Sequence, residues 1–576
     1  MIIFGLLHIV ISSLLAYFAS LIYGQLNPLI AFFSLALAAI LSFWLINADM
    51  NDFKNLQLNR WRKSTTGIFE KLSFAVVIFI AIRHFLFLFY EVDHELRSLH
   101  PFNLGDLPLH IHYIRNLASG VSFPPINPNF SAELLRYPFG IDLYNSLYEI
   151  LGLPTGGHLF LVALFCTLAS LVCLRLAGSW VSIVAFFLSG GFISLVQGGS
   201  LELSNALSWK NLFLSMFLTQ RGFIWALPVG VLLLYFIFLS ARKKVLLQSR
   251  SLLILGILWG GLAFFHLHSF FMLSLFIGAK VLLRLVRTRG RQIKEDIQKY
   301  FYVWIWPLVF GSYFVLISLN FFNVSGVAHW HWGWTIGENE SLFSYLVTNF
   351  GTYLLLFLGV GFIIFANKKK SYYFEFLIHF ILFLVFFNFI LAPWNWDNIK
   401  VLVWPYLGLS ILSFEILRPL WTRWMQVVLA VSLSYGGIYA ISGTQFSIAH
   451  HIVLYKTVEI AFARAATTQI PVNAIFAAGT SYDHELTALG RSRVMGYEGH
   501  LWAHGIQFQD TKAKLTELMQ GSEHWLERAR ELKVNFIYWG PREREEFKGV
   551  VNPAWRTQLT NFSRVIDYEV YEIPQP

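Results

Sequence analysis

Long apolar runs recur through residues 1–443 and then stop. A helix needs about 20 apolar residues to cross a bilayer. Thirteen segments read as spans: 2–23, 28–46, 72–90, 158–176, 180–197, 222–240, 251–267, 269–286, 301–319, 342–366, 373–391, 401–417 and 425–443. The turn around Phe265–Phe271 is very short, and 198–221 has room for a half-helix. Beyond residue 443 the polarity is mixed. Val472–Ala477, Val534–Tyr538 and Val565–Tyr571 read as strands, and Thr511–Leu518 and Ser522–Leu532 as helices. The expected fold is an all-α polytopic membrane bundle of about thirteen helices with a small C-terminal α/β domain. It divides into an N-terminal hairpin with a basic loop (1–71), a transmembrane core carrying a long loop at 91–157 (72–443), and the α/β domain (444–576).

Composition agrees with this pattern. Hydrophobic residues make up 56% of the 576, charged residues 13%, and the mean hydropathy is +0.57. A soluble chain carries about 25% charged residues. The net charge of +10 could point to nucleic acid, but the excess lies wholly within residues 1–443, which hold 29 Lys and Arg against 18 Asp and Glu. It is concentrated in short loops. With the N-terminus in the cytoplasm, the inside loops hold 20 Lys and Arg and the outside loops six, as the positive-inside rule expects. The first segment lacks a basic start and a cleavage site, so it reads as a retained anchor. Loop 91–157 and the C-terminal domain then lie outside, in a bacterial-type plasma membrane. The two cysteines, Cys166 and Cys173, fall in an apolar run, which leaves neither a disulfide framework nor a metal cluster to expect.

None of the 18 histidines falls in a predicted inside loop, and fifteen belong to outer loops, outer helix ends or the tail. An extracytoplasmic polar site is one reading, and greater length of the outer loops is the other. The first cluster contains Asp93 and His94. The next runs Gly105-Asp106-Leu-Pro-Leu-His110-Ile-His112-Tyr-Ile-Arg115. From Asp106 onward the apolar positions have helical spacing, which suggests a helix lying on the membrane surface. Asp106 and His110, four apart, share one face. Asp106 could equally be an ordinary helix cap.

The chain continues through Gly120-Val-Ser-Phe-Pro124-Pro125 to Arg136-Tyr137-Pro138-Phe139-Gly140. An acid on the first large outer loop, a short helix, a glycine, a proline turn and a Tyr-Pro-x-Gly element, in that order, resemble the GT-C class of membrane glycosyltransferases. That class includes the protein O-mannosyltransferases. The resemblance covers about residues 100–140 and, more loosely, the whole plan. It implies transfer of a sugar, as by an inverting hexosyltransferase, from a polyprenyl-phosphate donor in the bilayer to a glycan, lipid or protein acceptor outside, with no cofactor. It makes Asp106 the catalytic carboxylate, acting as general base or orienting the nucleophile, and Asp93 the alternative. The chain departs from the class in having two additional spans before the loop and no Asp-Glu dipeptide.

Further polar groups could bind the substrate. They are His110, Arg115, Arg221, the His266-Leu-His268 turn, His329 and His331 in a Trp-rich run, the Trp396, Asp397 and Lys400 cluster, and Arg491 in a glycine-punctuated tail loop where Arg493 and His504 are alternatives. Each also has a plain structural reading, as interfacial anchor, aromatic belt, local ion pair or loop. No P-loop, dinucleotide fingerprint, HExxH or serine elbow occurs in a suitable context, so nucleotide-driven chemistry is not expected. A transporter of lipid-linked glycan would place ionisable groups at mid-membrane, where few occur here. A non-catalytic membrane assembly protein is the remaining alternative.

Overall fold

The computed structural model describes residues 1–47, 67–99, 103–192, 211–243, 248–319, 328–337, 340–442, 451–547 and 553–574. Residues 48–66 of the basic loop, the end of the 180–197 segment and most of the possible half-helix at 198–221 lie outside these residues.

Each of the thirteen apolar segments contains helix, but thirteen crossings do not follow. Among the described residues seven helices are long and apolar enough to cross a bilayer: Ile2–Tyr23, Pro28–Asn47, Thr155–Gly178, Leu267–Thr288, Phe301–Ser318, Ile399–Leu420 and Trp424–Ser442. These helices mark a multi-pass membrane protein. Shorter apolar helices are Arg221–Phe236, Ser249–Phe265 and Tyr372–Phe387. The Ile68–Leu86 helix carries Glu70, Lys71 and Arg83, and Trp180–Phe187 has only eight residues. Segment 342–366 is two helices, Leu342–Phe350 and Thr352–Ala366, bent by 100°. The break is at Gly351, whose φ of 47° reverses the chain as a side-chain-bearing residue rarely does. If the bent pair counts as one crossing, the seven become eight.

The first two helices form a hairpin. Gly24 takes the left-handed conformation (φ 91°) and its N–H closes on Ser20 O, and Pro28 opens the second helix, an arrangement suited to a glycine stop and a proline start. The long loop 91–157 folds into two short helices, Asp106–Ala118 and Gly140–Ile150. The first of these is not an interfacial helix with one wet face. Residues Leu107 to Ile114 are all buried. The helix packs against Gly140–Ile150 and is also covered by Glu485–Ala488 of the tail.

The tail is attached to this loop by backbone pairing. Strand Ile452–Lys456 adds antiparallel to the hairpin Tyr90–Val92/Glu95–Ser98. Gly490 (φ 73°) lies so close to the Arg115 and Asn116 backbone that a Cβ there would meet Arg115 C at 2.6 Å. Side chains complete the joint: Asn116 Nδ2 donates to Gly490 O at 2.8 Å, and His112 Nε2 lies 2.9 Å from Arg491 O. The rest of the tail holds a four-stranded sheet in the order Phe476–Ala477, Phe536–Trp539, Tyr568–Glu572, Asn561–Val565. The first pair is parallel and the other two antiparallel. Helices Gln509–Met519 and Trp525–Glu531 match the two expected. The single strand expected at Val565–Tyr571 is a hairpin, because Ile566 (φ 56°) turns the chain back.

Candidate functional site

Four helices begin around one cavity of about 470 Å³. Asp106–Ala118 brings Gly105 and Asp106 to its wall, and Arg221–Lys243 brings the preceding Gln220. Leu267–Thr288 brings His266 and His268, and Ile399–Leu417 brings Lys400 and, just before it, Asp397. Helix N-termini present unpaired N–H groups and partial positive charge, so their convergence favours a bound anion. The opposite wall is tail: Tyr497, His500, Trp502 and His504.

Asp106 does not cap its helix. Gly105 holds the N-cap position, and the Asp106 side chain makes no capping bond. Its Oδ2 accepts from Gln220 Nε2 at 2.8 Å instead. The carboxylate opens onto the cavity but is otherwise enclosed by protein. Loss of solvent raises its pKa, and the nearby charges of Lys400, His110 and Arg221 oppose the rise in that order. A carboxylate so placed is a stronger base than one in water. Across the cavity the Lys400 ammonium pairs with Asp397 at 2.7 Å.

Behind Asp106 is a second polar layer. His110, one turn along the helix, is buried and holds its Nδ1 at 2.9 and 3.0 Å from the two oxygens of Asp142. Burial raises the Asp142 pKa and His110 draws it down. Arg221 is 2% exposed, and its three guanidinium nitrogens have no hydrogen-bond partner among the described residues. It lies over the Phe85 ring at 5.8 Å. The Tyr137 ring meets His110 edge-on at 5.9 Å and stacks obliquely on His504 at 4.9 Å. Desolvation and then the charges of Asp106 and Asp142 push the Tyr137 hydroxyl pKa well up. Burial lowers the His500 pKa to about 4 and takes that of His504 well below the usual histidine value. Both are neutral at pH 7.

Of the residues singled out from sequence, Asp106, His266, His268, Asp397, Lys400 and the alternative His504 meet at the cavity, with His110 and Arg221 behind it. His266 and His268 face the same space because His266 is extended (φ −156°, ψ 92°) rather than helical, so their two-residue spacing does not make them diverge.

The other candidates lie elsewhere. Asp93 and His94 (φ 51° and 62°) form the exposed tip of the Tyr90–Ser98 hairpin. Arg115, at the far end of the Asp106 helix, donates to Ala488 O and Thr155 Oγ1 and faces Glu149 at 3.6 Å. His329 and His331 are exposed along a two-stranded ladder with Phe389–Ile390. Arg491 is used up on the carbonyls of Thr467, Ile470 and Pro471. Arg493 is buried inside the tail, where its two terminal nitrogens donate to Gly479 O, Ser481 O and Thr487 Oγ1. The Trp396 side chain lies outside the described ones. Sequence reading missed Asp142, Gln220 and His500. Asp142 lies 32 residues from the histidine it holds, a separation no spacing rule covers.

Among the described residues the one group with metal-ligand spacing is His484, Glu485 and Glu543, inside the tail domain. Its atoms are already engaged. Glu543 accepts from His484 Nε2 at 2.6 Å and from the N–H groups of Gly479 and Gly540. Tyr538 and Arg542 hold Glu485. It is a buried clamp.

No family model and no curated protein matches the chain. Two solved structures with a similar arrangement are both of the Archaeoglobus fulgidus oligosaccharyltransferase. One carries a tethered acceptor peptide with an NVT sequon, at 10% identity and a TM-score of 0.39, over 88% of this chain and 74% of that one. The other is a complex with Zn and sulfate, at 10% identity and a TM-score of 0.36, over 80% and 67%. Superpositions this loose leave the reading of the site to its own chemistry.

Proposed function

We propose that this chain is an integral-membrane glycosyltransferase. It moves a sugar from a polyprenyl-phosphate donor to a glycan, lipid or protein acceptor on the extracytoplasmic face. The observation that carries the reading is the single cavity in which a desolvated carboxylate, Asp106, faces an ammonium, Lys400, amid four helix N-termini. A base and an anion-holding surface in one enclosure are what this transfer needs.

Asp106 takes the proton of the acceptor hydroxyl or amide as the acceptor atom bonds to the sugar's anomeric carbon. The bond from that carbon to the phosphate oxygen breaks, and its electron pair leaves with the polyprenyl phosphate. Attack opposite the leaving group inverts the centre. Lys400 and the helix starts hold the phosphate, so it departs without needing a proton. Gln220 orients the base. His110, Asp142 and Arg221 set the charge behind it. The faces of Trp394 and Trp502, both partly exposed on the cavity wall, offer flat apolar surfaces to a sugar ring. The asymmetry of loop charge supports a cytoplasmic N-terminus and an outer cavity.

The test is transfer of labelled sugar from a polyprenyl-phosphate donor by the full-length protein in lipid nanodiscs. Asp106→Asn is expected to fold and insert but not to transfer. Full activity in that variant removes Asp106 as the base. Inactivity of the wild type with every polyprenyl-phosphate sugar offered removes the donor class.

A further inference from the structure

The His266 turn between two helices carries an unused hydrogen-bond donor. His266 Nδ1 accepts the backbone N–H of Ser269 at 3.2 Å, capping the Leu267–Thr288 helix. The Ser269 hydroxyl lies 2.7 Å from the same nitrogen. That hydroxyl also receives the Trp404 indole N–H at 3.1 Å. The Ser269 backbone N–H and the Trp404 indole N–H can only donate, so Nδ1 accepts the first and Ser269 Oγ the second, and the hydroxyl facing the unprotonated Nδ1 turns its own proton toward it. Both groups facing Nδ1 are therefore donors. A nitrogen that accepts from donors carries no proton, which puts the proton of the neutral ring on Nε2.

Nε2 is buried and has no hydrogen-bond partner, in a side chain 6% exposed that forms part of the cavity wall. A buried N–H without an acceptor costs a protein stability, so this one is set up for an acceptor that arrives with a ligand. A metal ion does not suit it. Coordination would need the Nε2 lone pair, and the displaced proton on Nδ1 would collide with the Ser269 N–H. The Lys400 ammonium on the same wall makes an anionic acceptor the fitting one.

We propose that His266 is a neutral hydrogen-bond donor to a phosphate oxygen of the lipid-linked donor, and that Ser269 and Trp404 are positioning residues that lock its tautomer. The inference rests on the sugar-transfer reading above and adds to it how the leaving group is recognised. His266 gives up no proton. As the bond to the anomeric carbon breaks and charge collects on the phosphate, the fixed donor is already in place.

The experiment measures binding of a polyprenyl monophosphate, and separately of inorganic phosphate, to the full-length protein in nanodiscs. His266→Phe keeps the ring but loses the donor and is expected to weaken lipid-phosphate binding about tenfold or more. His266→Gln, whose amide N–H₂ reaches a similar point, is expected to stay within about threefold of wild type. This rescue separates a donor role from a packing role. Wild-type affinity in His266→Phe overturns the inference and leaves the transfer reading standing. Failure of the wild type to bind the lipid removes the transfer reading itself. Equal affinity for inorganic phosphate overturns the lipid assignment. If both His266 variants misfold, Ser269→Ala decides, because it keeps the backbone cap. A loss of a few fold supports the tautomer lock, and unchanged affinity overturns it.

Discussion

Asp106 is held in a way that costs the folded protein stability and gains basicity. Its pKa is raised chiefly by desolvation. A group that binds its proton more tightly when folded than when unfolded adds stability in acid and loses it as pH rises through the folded pKa. Replacing the carboxylate by a neutral amide removes that penalty. Asp106→Asn is therefore expected to unfold at a temperature equal to or above that of the wild type at pH 8, with the difference shrinking toward pH 4. The same change lowers sugar transfer by about 10²–10⁴-fold, the usual value of a general base. A fall in thermal stability at pH 8 contradicts the assignment of a strained functional carboxylate. Lys400 supplies the largest downward pull on the Asp106 pKa, and its loss also leaves Asp397 without its partner. Lys400→Met is thus expected to move the acidic limb of the pH–rate profile upward by on the order of one unit. An unshifted limb separates Lys400 from the base.

At the scale of elements, the important joint is between the Asp106–Ala118 helix and the tail. Gly490 allows it, by its left-handed φ and by the close approach of the Arg115 backbone. Gly490→Ala is expected to destabilise this joint by about 1–3 kcal/mol, seen as faster proteolytic release of the tail and lower transfer while the membrane helices stay inserted. Unchanged proteolysis means the tail is held elsewhere. The helix itself was legible in the sequence, since the apolar spacing after Asp106 marks it directly. Its environment was not. The same spacing describes a helix half in water and a helix with a second polar-rimmed partner, and only the tail's position decides between them. The break in the 342–366 segment was hidden for a related reason. Its apolar run is long enough to cross a bilayer, and hydropathy does not register the turn at Gly351. His266 and His268 were visible as a pair, yet whether they converge depends on one residue's backbone angles.

For the molecule as a whole, the sequence supplied the division into an apolar bundle and a charged tail, and with it six of the cavity's polar residues. It could not supply Asp142 or His500, because each reaches the site through contacts hundreds or tens of residues away in the chain. Sidedness is the remaining question at this scale, and the described surface allows a direct measurement. The two native cysteines are buried, so a single introduced cysteine would be the reactive one. Glu91 is exposed on the hairpin that pairs with the tail, and Lys294 is exposed on the short helix Ile293–Lys299 between two apolar helices. A cytoplasmic N-terminus puts Glu91 with the cavity outside and Lys294 inside. Glu91→Cys is therefore expected to react with a membrane-impermeant maleimide in intact cells, and Lys294→Cys only after the membrane is opened. The tail shares a sheet with the Glu91 strand, so the first result also fixes the side of His500 and His504. The reverse labelling pattern would place the cavity in the cytoplasm, where a nucleotide-sugar could reach it, and the case for a lipid-linked donor would lose its topological basis.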